Sequence, residues 1–207
     1  LLCMVHLLRV EEEYRLELRE IRFDSFMLKQ IIQNGVPSGF QNSVIAIANV
    51  FVQSNINAFG KMAMAGCGSY SKIEGFAFLP VTCFTMALTT FVSQNLGAKQ
   101  YDRAKKGAKF GVLCSIAIAE LIGIIIYAAA PILITAFNRD PDVVHYGVMQ
   151  ARIIALFYCL LAFSHCIAAV LRGSGNASVP MIVMLCDWCL FRVSYITVAV
   201  RILPDIR

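Results

Sequence analysis

The segment Ile31–Gly60 contains no Asp, Glu, Lys, Arg or His, and it is flanked by Lys29 and Lys61. About 20 mainly apolar residues suffice for a helix to cross roughly 30 Å of hydrocarbon, so this absence of charge is a transmembrane signal. Charge is scarce throughout: 15% of residues are charged against 58% hydrophobic, and the mean hydropathy is +0.69. That balance excludes an ordinary soluble domain. Histidine is also rare. His6, His145 and His165 are too scattered to suggest a metal cluster or a base paired with a nucleophile, so an embedded enzyme is not expected. Short alternating strands are missing, which excludes a membrane barrel. No basic leader precedes Leu1–Leu8, which reads as the last turns of a cut-off apolar helix, and both ends of the chain are expected to be truncated.

Further apolar segments follow. Gly75–Ala98 carries no charge, Phe110–Asn138 is interrupted only by Glu120, Val143–Leu171 carries His145, Arg152 and His165, and Val179–Leu203 carries Asp187, Arg192 and Arg201. Backbone groups in hydrocarbon must bond within their own segment. The expected fold is therefore all-α: a polytopic bundle with about five transmembrane helices by the hydropathy criterion. Residues 1–9 are read as the end of a truncated helix, 10–29 as a cytoplasmic amphipathic connector lying along the membrane surface or acting as a tether, and 30–207 as the membrane bundle.

Lys and Arg accumulate in short cytoplasmic loops. Arg15, Arg19, Arg22 and Lys29 precede the first full span, and Lys99, Arg103, Lys105, Lys106 and Lys109 follow the second. Both loops are expected inside, with Leu171–Pro180. Lys61–Glu74 and Arg139–His145 are then expected outside. This topology accounts for the net charge of +5 without a nucleic-acid partner. Asn176-Ala177-Ser178 forms a sequon that this orientation leaves unmodified. Cys83, Cys114, Cys159, Cys166, Cys186 and Cys189 fall inside predicted spans, where they read as small packing residues, with the Cys186-x-x-Cys189 spacing a weak redox or metal signal; Cys67 falls in a predicted outer loop.

Several features exceed what a lipid anchor needs. Pro37 and Pro131 are expected at helix ends, and Pro80 lies deep in its segment, where a kink lets a helix line a cavity. Asn42, Asn49 and Gln53 recur at i, i+7 and i+11 and share a face that either knits helices together or lines a cavity. Ionisable groups at membrane depth are costly unless paired or hydrated. Glu120, Asp187 and Arg192 qualify. Positions 187 and 192 differ by about 140° around an α-helix, so an interhelical Glu120–Arg192 pair is expected, with Asp187 facing a hydrated interior. Static pairs that only lock the bundle are the alternative. His165 is either a titrating group or a satisfied core donor.

Gly35-Val36-Pro37-Ser38-Gly39-Phe40-Gln41, Asn57-Ala58-Phe59-Gly60, Gln94-Asn95-Leu96-Gly97-Ala98-Lys99 with Asp102-Arg103-Ala104, and Leu171-Arg172-Gly173-Ser174-Gly175 before Pro180 occur in that order. Together they resemble the second half of the multidrug and toxic compound extrusion (MATE) transporters, from about Tyr14 onward. The resemblance implies two six-helix halves around a central cavity and export of organic, often cationic, compounds in exchange for sodium ions or protons, with no other cofactor. This chain would supply the seventh to eleventh helices of a multi-pass plasma-membrane protein, its partners being the lipid bilayer, small organic substrates and the missing N-terminal half. Some members bind the coupling cation through acidic residues on the first and fourth helices of this half. Here the corresponding spans offer Asn49 and Gln53, and His165 without a carboxylate. Asn42, Asn49, Gln53, Glu120, Asp187 and Arg192 are the candidates for the cavity, with Glu120 and Asp187 as candidates for coupling. A lipid-linked oligosaccharide flippase of the same superfamily would want more cationic cavity residues than Arg192 and Arg152 supply. A non-transporting scaffold is a further alternative.

Overall fold

The computed structural model describes residues 22–58, 60–192, 194, 195 and 198. Arg15, Arg19, Phe59, Arg201 and the Leu1–Leu8 segment lie outside the described residues, as do most of the expected connector and the end of the last span. The order is α1 (Ser25–Ala58), α2 (Lys61–Gly97), α3 (Tyr101–Phe137), α4 (Pro141–Ala155), α5 (Tyr158–Gly173) and α6 (Ser178–Leu185), which runs on into a π-helical segment, Cys186–Phe191. No strand occurs among the described residues.

The fold is a polytopic α-helical membrane bundle, and five helical segments match the five expected spans. By length and composition α2 and α3 each suffice to cross a membrane, and α4 with α5, bent by 57° at the break between them, is apolar enough to make a third crossing if the pair is one span. At 34 residues, or about 50 Å, α1 is long enough, but its Asn and Gln side chains lower its hydropathy.

Charge misled the sequence reading about where helices begin. Lys61–Glu74, expected as an outer loop with Cys67 in it, forms the first turns of α2, and the link from α1 is reduced to the residues around Gly60, whose φ is +99°. Tyr101–Lys109, expected as cytoplasmic loop, is likewise the start of α3. At 37 residues each, about 55 Å, these helices exceed the roughly 40–45 Å of a whole bilayer. Their charged ends therefore project as helix instead of unwinding. Pro37 and Pro131 lie inside α1 and α3 rather than at helix ends, as Pro80 lies inside α2.

Helices α2–α5 form one packed group, and α1 packs against α6 and the π segment beside it. The main core is mostly small or aromatic, with Tyr70, Ala77, Ala119, Ala130, Ala151, Ala155, Tyr158 and Ala162 beside the branched Ile73, Val81, Ile126 and Ile134. Large side chains such as Phe76, Phe110 and Ile132 point outward. This inversion suits lipid, where helices associate through close packing of small residues and not by hiding apolar surface.

Glycines fix the direction of the helices. A Cβ at Gly66 would stand 2.8 Å from the Val143 carbonyl oxygen, and one at Gly173 would stand 2.7 Å from that of Thr89. The starts of α2 and α4 therefore meet, as do the ends of α2 and α5, so α2 and the α4–α5 pair run the same way with α3 antiparallel between them. The turns at Ala98–Gln100 and Ser174–Ala177 thus share one end of the bundle.

These two turns are built alike. Lys99 N–H donates to the Leu96 carbonyl at 3.0 Å and Gln100 N–H to that of Asn95 at 2.8 Å; Gly175 N–H donates to Arg172 at 3.0 Å and Asn176 N–H to Leu171 at 3.1 Å. Both are Schellman caps, in which the residue after the cap takes a left-handed conformation and helix-end carbonyls regain donors. Gly175 adopts φ +84° freely, whereas Lys99 is held at φ +58°, where a Cβ costs about 1–2 kcal/mol. Lys99→Gly is expected to raise thermal stability by about 1 kcal/mol in detergent, and Gly175→Ala to lower it by a similar amount. Circular-dichroism melts check both signs.

Candidate functional site

Tyr70 on α2 is wholly buried, and its hydroxyl lies 3.2 Å from that of Tyr158. Tyr158 is the first residue of α5, so the break after α4 sets the position of this phenol pair. One turn beyond Tyr70, half-buried Glu74 stands within electrostatic reach of both phenols and of Arg192. Two turns beyond Tyr158, half-buried His165 packs edge-on against Phe78, with ring centroids 5.0 Å apart.

Glu74, Tyr158, His165, Asp187 and Arg192 line one cavity of about 560 Å³, together with the apolar side chains of Ile154, Leu161 and Phe191. It lies at the seam between the α2–α5 group and the π segment that continues α6. Two carboxylates and one guanidinium line it, so the cavity leans negative. Arg192 Nη1 also donates to Asn49 Oδ1 on α1 at 3.0 Å, so this one side chain links α1 to the cavity.

Asp187 and Arg192 share this cavity although α-helical spacing separates them by about 140°. The reason is local. Cys186–Phe191 is π-helical, and the Arg192 N–H donates to the Asp187 carbonyl. An i→i+5 bond stacks residues five apart one turn above each other, which brings both side chains to one side.

The expected Glu120–Arg192 pair does not form. Arg192 takes Asn49 and faces Glu74, whereas Glu120 is half-buried on α3, away from the cavity, with Oε2 buried and unbonded. Asn49 alone of the amide stripe reaches the cavity's Arg192. Asn42 is exposed, and Gln53 Nε2 donates to Asn57 Oδ1 within α1 at 3.1 Å. Glu74 was missed because its neighbour Lys72 and nearby Lys61 made the segment read as a loop; its four-residue spacing from Tyr70 was the available signal.

The motif residues are placed at corners and contacts. Gln94 and Asn95 supply carbonyls to the α2 cap, with Gly97 and Ala98 ending that helix, and Arg103 Nη1 donates to Gln100 Oε1 at 3.3 Å. Arg172, Gly173 and Gly175 belong to the matching cap on α5, and Pro180 is buried at the start of α6. Gln41 is buried and donates to Met184 Sδ at 2.8 Å, joining α1 to α6, while Gly35 and Pro37 lie one to two turns before it. Cys67, Cys83, Cys114, Cys159, Cys166 and Cys186 are free thiols. Among the described residues no group of three His, Cys, Asp or Glu side chains stands together to hold a metal ion.

The MatE family model matches residues 37–197. Among curated proteins, the chain is 22% identical over 167 residues to "Probable multidrug resistance protein YoeA" of Bacillus subtilis, covering 81% of this chain and 36% of that protein. It is 28% identical over 155 residues to "Probable multidrug resistance protein NorM" of Thermotoga maritima, covering 75% and 33%. The chain thus spans about a third of the length of these relatives. Among solved structures, one described as the outward-facing conformation of a multidrug resistance MATE family transporter of the MOP superfamily superposes with a TM-score of 0.87 at 19% identity, over 97% of this chain and 46% of that one. That likeness concerns the fold.

Proposed function

Because the chain belongs to the MatE family, we propose that the whole protein is a secondary efflux antiporter of the plasma membrane, a carrier and not an enzyme, and that this chain forms most of one half of it. The observation that carries the reading is the seam cavity, lined by Glu74, Asp187 and Arg192, with Glu74 in electrostatic reach of Arg192. A second half of the transporter faces the open side of this cavity, and small organic cations are the substrates. A flippase for anionic lipid-linked sugars is disfavoured, because the cavity offers one guanidinium against two carboxylates.

Transport requires that ligand and coupling ion bind two conformations unequally. Glu74 supplies such a difference. Ionised, it is matched by Arg192; protonated or occupied by a cation, it releases that side chain and loosens the seam that Asn49 and Arg192 close. A cationic substrate competes for the same carboxylate. Asp187 acts as the second anionic group of the cavity, and Glu120, with a buried, unbonded oxygen, lies outside it.

The test is ethidium efflux from cells expressing the gene extended to its natural ends, with the sodium and proton gradients collapsed separately. Loss of efflux with one gradient identifies the coupling ion. Asp187→Asn is expected to lower efflux several-fold and Glu120→Gln to lower it less, since only Asp187 lines the cavity. Efflux equal to the empty vector despite membrane insertion would move weight to the flippase or scaffold readings.

A further inference from the structure

A second hollow, of about 660 Å³, lies between α2, α3 and α5 on the outer face of the four-helix group. Its polarity is graded along the helices. Tyr101, Lys105 and Ser174 line it near the two capped turns, Lys109 lies one turn further along α3, and Val112, Leu113 and Phe163 line the deeper part. From Tyr101 to Leu113 the groove follows α3 for about 18 Å, from the basic end of the bundle toward the middle of the membrane.

We propose that this groove is a site for an anionic phospholipid, with its phosphate between Lys105 and Lys109 and one acyl chain lying along Val112, Phe163 and Ile167. Lys105 and Lys109 are one helical turn apart and both are exposed, so their ammonium groups approach a single phosphate from above and below. Between Lys99 and Lys109 the sequence carries Asp102 as its one acidic residue against five basic ones, so the mouth is strongly positive. The deeper wall holds no charged side chain, which suits hydrocarbon. A zwitterionic lipid would set its own cation against the lysines, and a soluble phosphate would leave the apolar wall uncovered. The inference depends on the membrane fold and not on the transport reading, because its measurement involves no substrate.

The experiment is native mass spectrometry of the full-length protein in detergent with equal phosphatidylglycerol and phosphatidylcholine. Phosphatidylglycerol is expected to be retained about thirtyfold more strongly, as follows from two lysines near an anionic headgroup. Lys105→Gln with Lys109→Gln should abolish that preference. Lys99→Gln with Lys106→Gln removes the same charge outside the groove and should leave the preference intact. Ile167→Trp should fill the apolar part and reduce retention of both lipids. Equal loss in the two double variants would mean diffuse attraction without a site, and absence of retained lipid would mean that the groove is covered by protein or empty; either result overturns the proposal.

Discussion

Glu74→Gln, introduced into the full-length protein, is expected to cut ethidium efflux at least tenfold while leaving the amount of folded, membrane-inserted protein nearly unchanged. The amide keeps the shape and hydrogen-bonding reach of the carboxylate but abolishes its charge. Arg192 keeps its bond to Asn49 but loses the charge of Glu74, and no carboxylate remains at position 74 to exchange a cation for that guanidinium. Removing one charge of an interacting pair at membrane depth shifts the balance between two conformations by more than the roughly 1.4 kcal/mol that corresponds to tenfold in an equilibrium. Glu74→Asp should retain part of the activity, since charge is kept and only reach is shortened. A Glu74→Gln/Arg192→Gln double variant should be less impaired than the sum of its parts, because the two residues form one unit. Efflux at the normal rate from Glu74→Gln at normal expression would remove Glu74 from the mechanism. Reduced surface expression in step with reduced efflux would assign it to stability alone.

The second large effect is structural. Gly123→Val is expected to destabilise the detergent-solubilised protein by about 3 kcal/mol, at the upper end for overpacking, and to broaden its gel-filtration peak. A Cβ at Gly123 would stand 2.6 Å from the Ala155 carbonyl oxygen and 3.2 Å from the Tyr158 ring. Ala155 is the last residue of α4 and Tyr158 the first of α5, so α3 presses its barest point against the bend. Backbone is one of the groups in the way, so no side-chain rotation relieves the clash. Displacement of Tyr158 would also break the 3.2 Å contact with Tyr70 and so reach Glu74 indirectly. Gly68→Val, on the same kind of helix but with open space around its position, is the control and should melt within about 1 kcal/mol of the parent, the Gly-to-Val difference in helix propensity being smaller than that.

What the sequence made legible follows its physics. Composition and the charge-free run from Ile31 to Gly60 state that the chain is a helical membrane protein, because hydrocarbon leaves the backbone no other solution. The glycines and amides of the corner motifs are readable for a related reason: a left-handed residue after a helix needs a recognisable residue, and Gly175 is one. Lys99, doing the same work with a Cβ, is not readable that way. Glu74 was hidden because hydropathy equates charge with loop, whereas a 37-residue helix has room to carry charge both beyond the bilayer and at a cavity. The Asp187–Arg192 relation departs from the expected 140° because a phase of 3.6 residues per turn does not hold through a π-helical turn. The partner of Arg192 depended on which helices meet, and that is a tertiary fact that no spacing within one helix contains.

The π-helical segment Cys186–Phe191 also sets the phase of Arg192 and Tyr195, which follow it. Relative to a regular α-helix it holds one surplus residue per turn, so Arg192 and Tyr195 are turned by about 100° from where their numbers alone would put them. Arg192 and Tyr195 meet the cavity by virtue of that surplus. Deleting any single residue between Cys186 and Phe191 would let the helix close into regular turns and carry both away from Glu74, with every functional side chain still present. In this stretch chain length, no less than residue identity, is a determinant of the site, and a homologous protein one residue shorter here would present a different face with nearly the same composition.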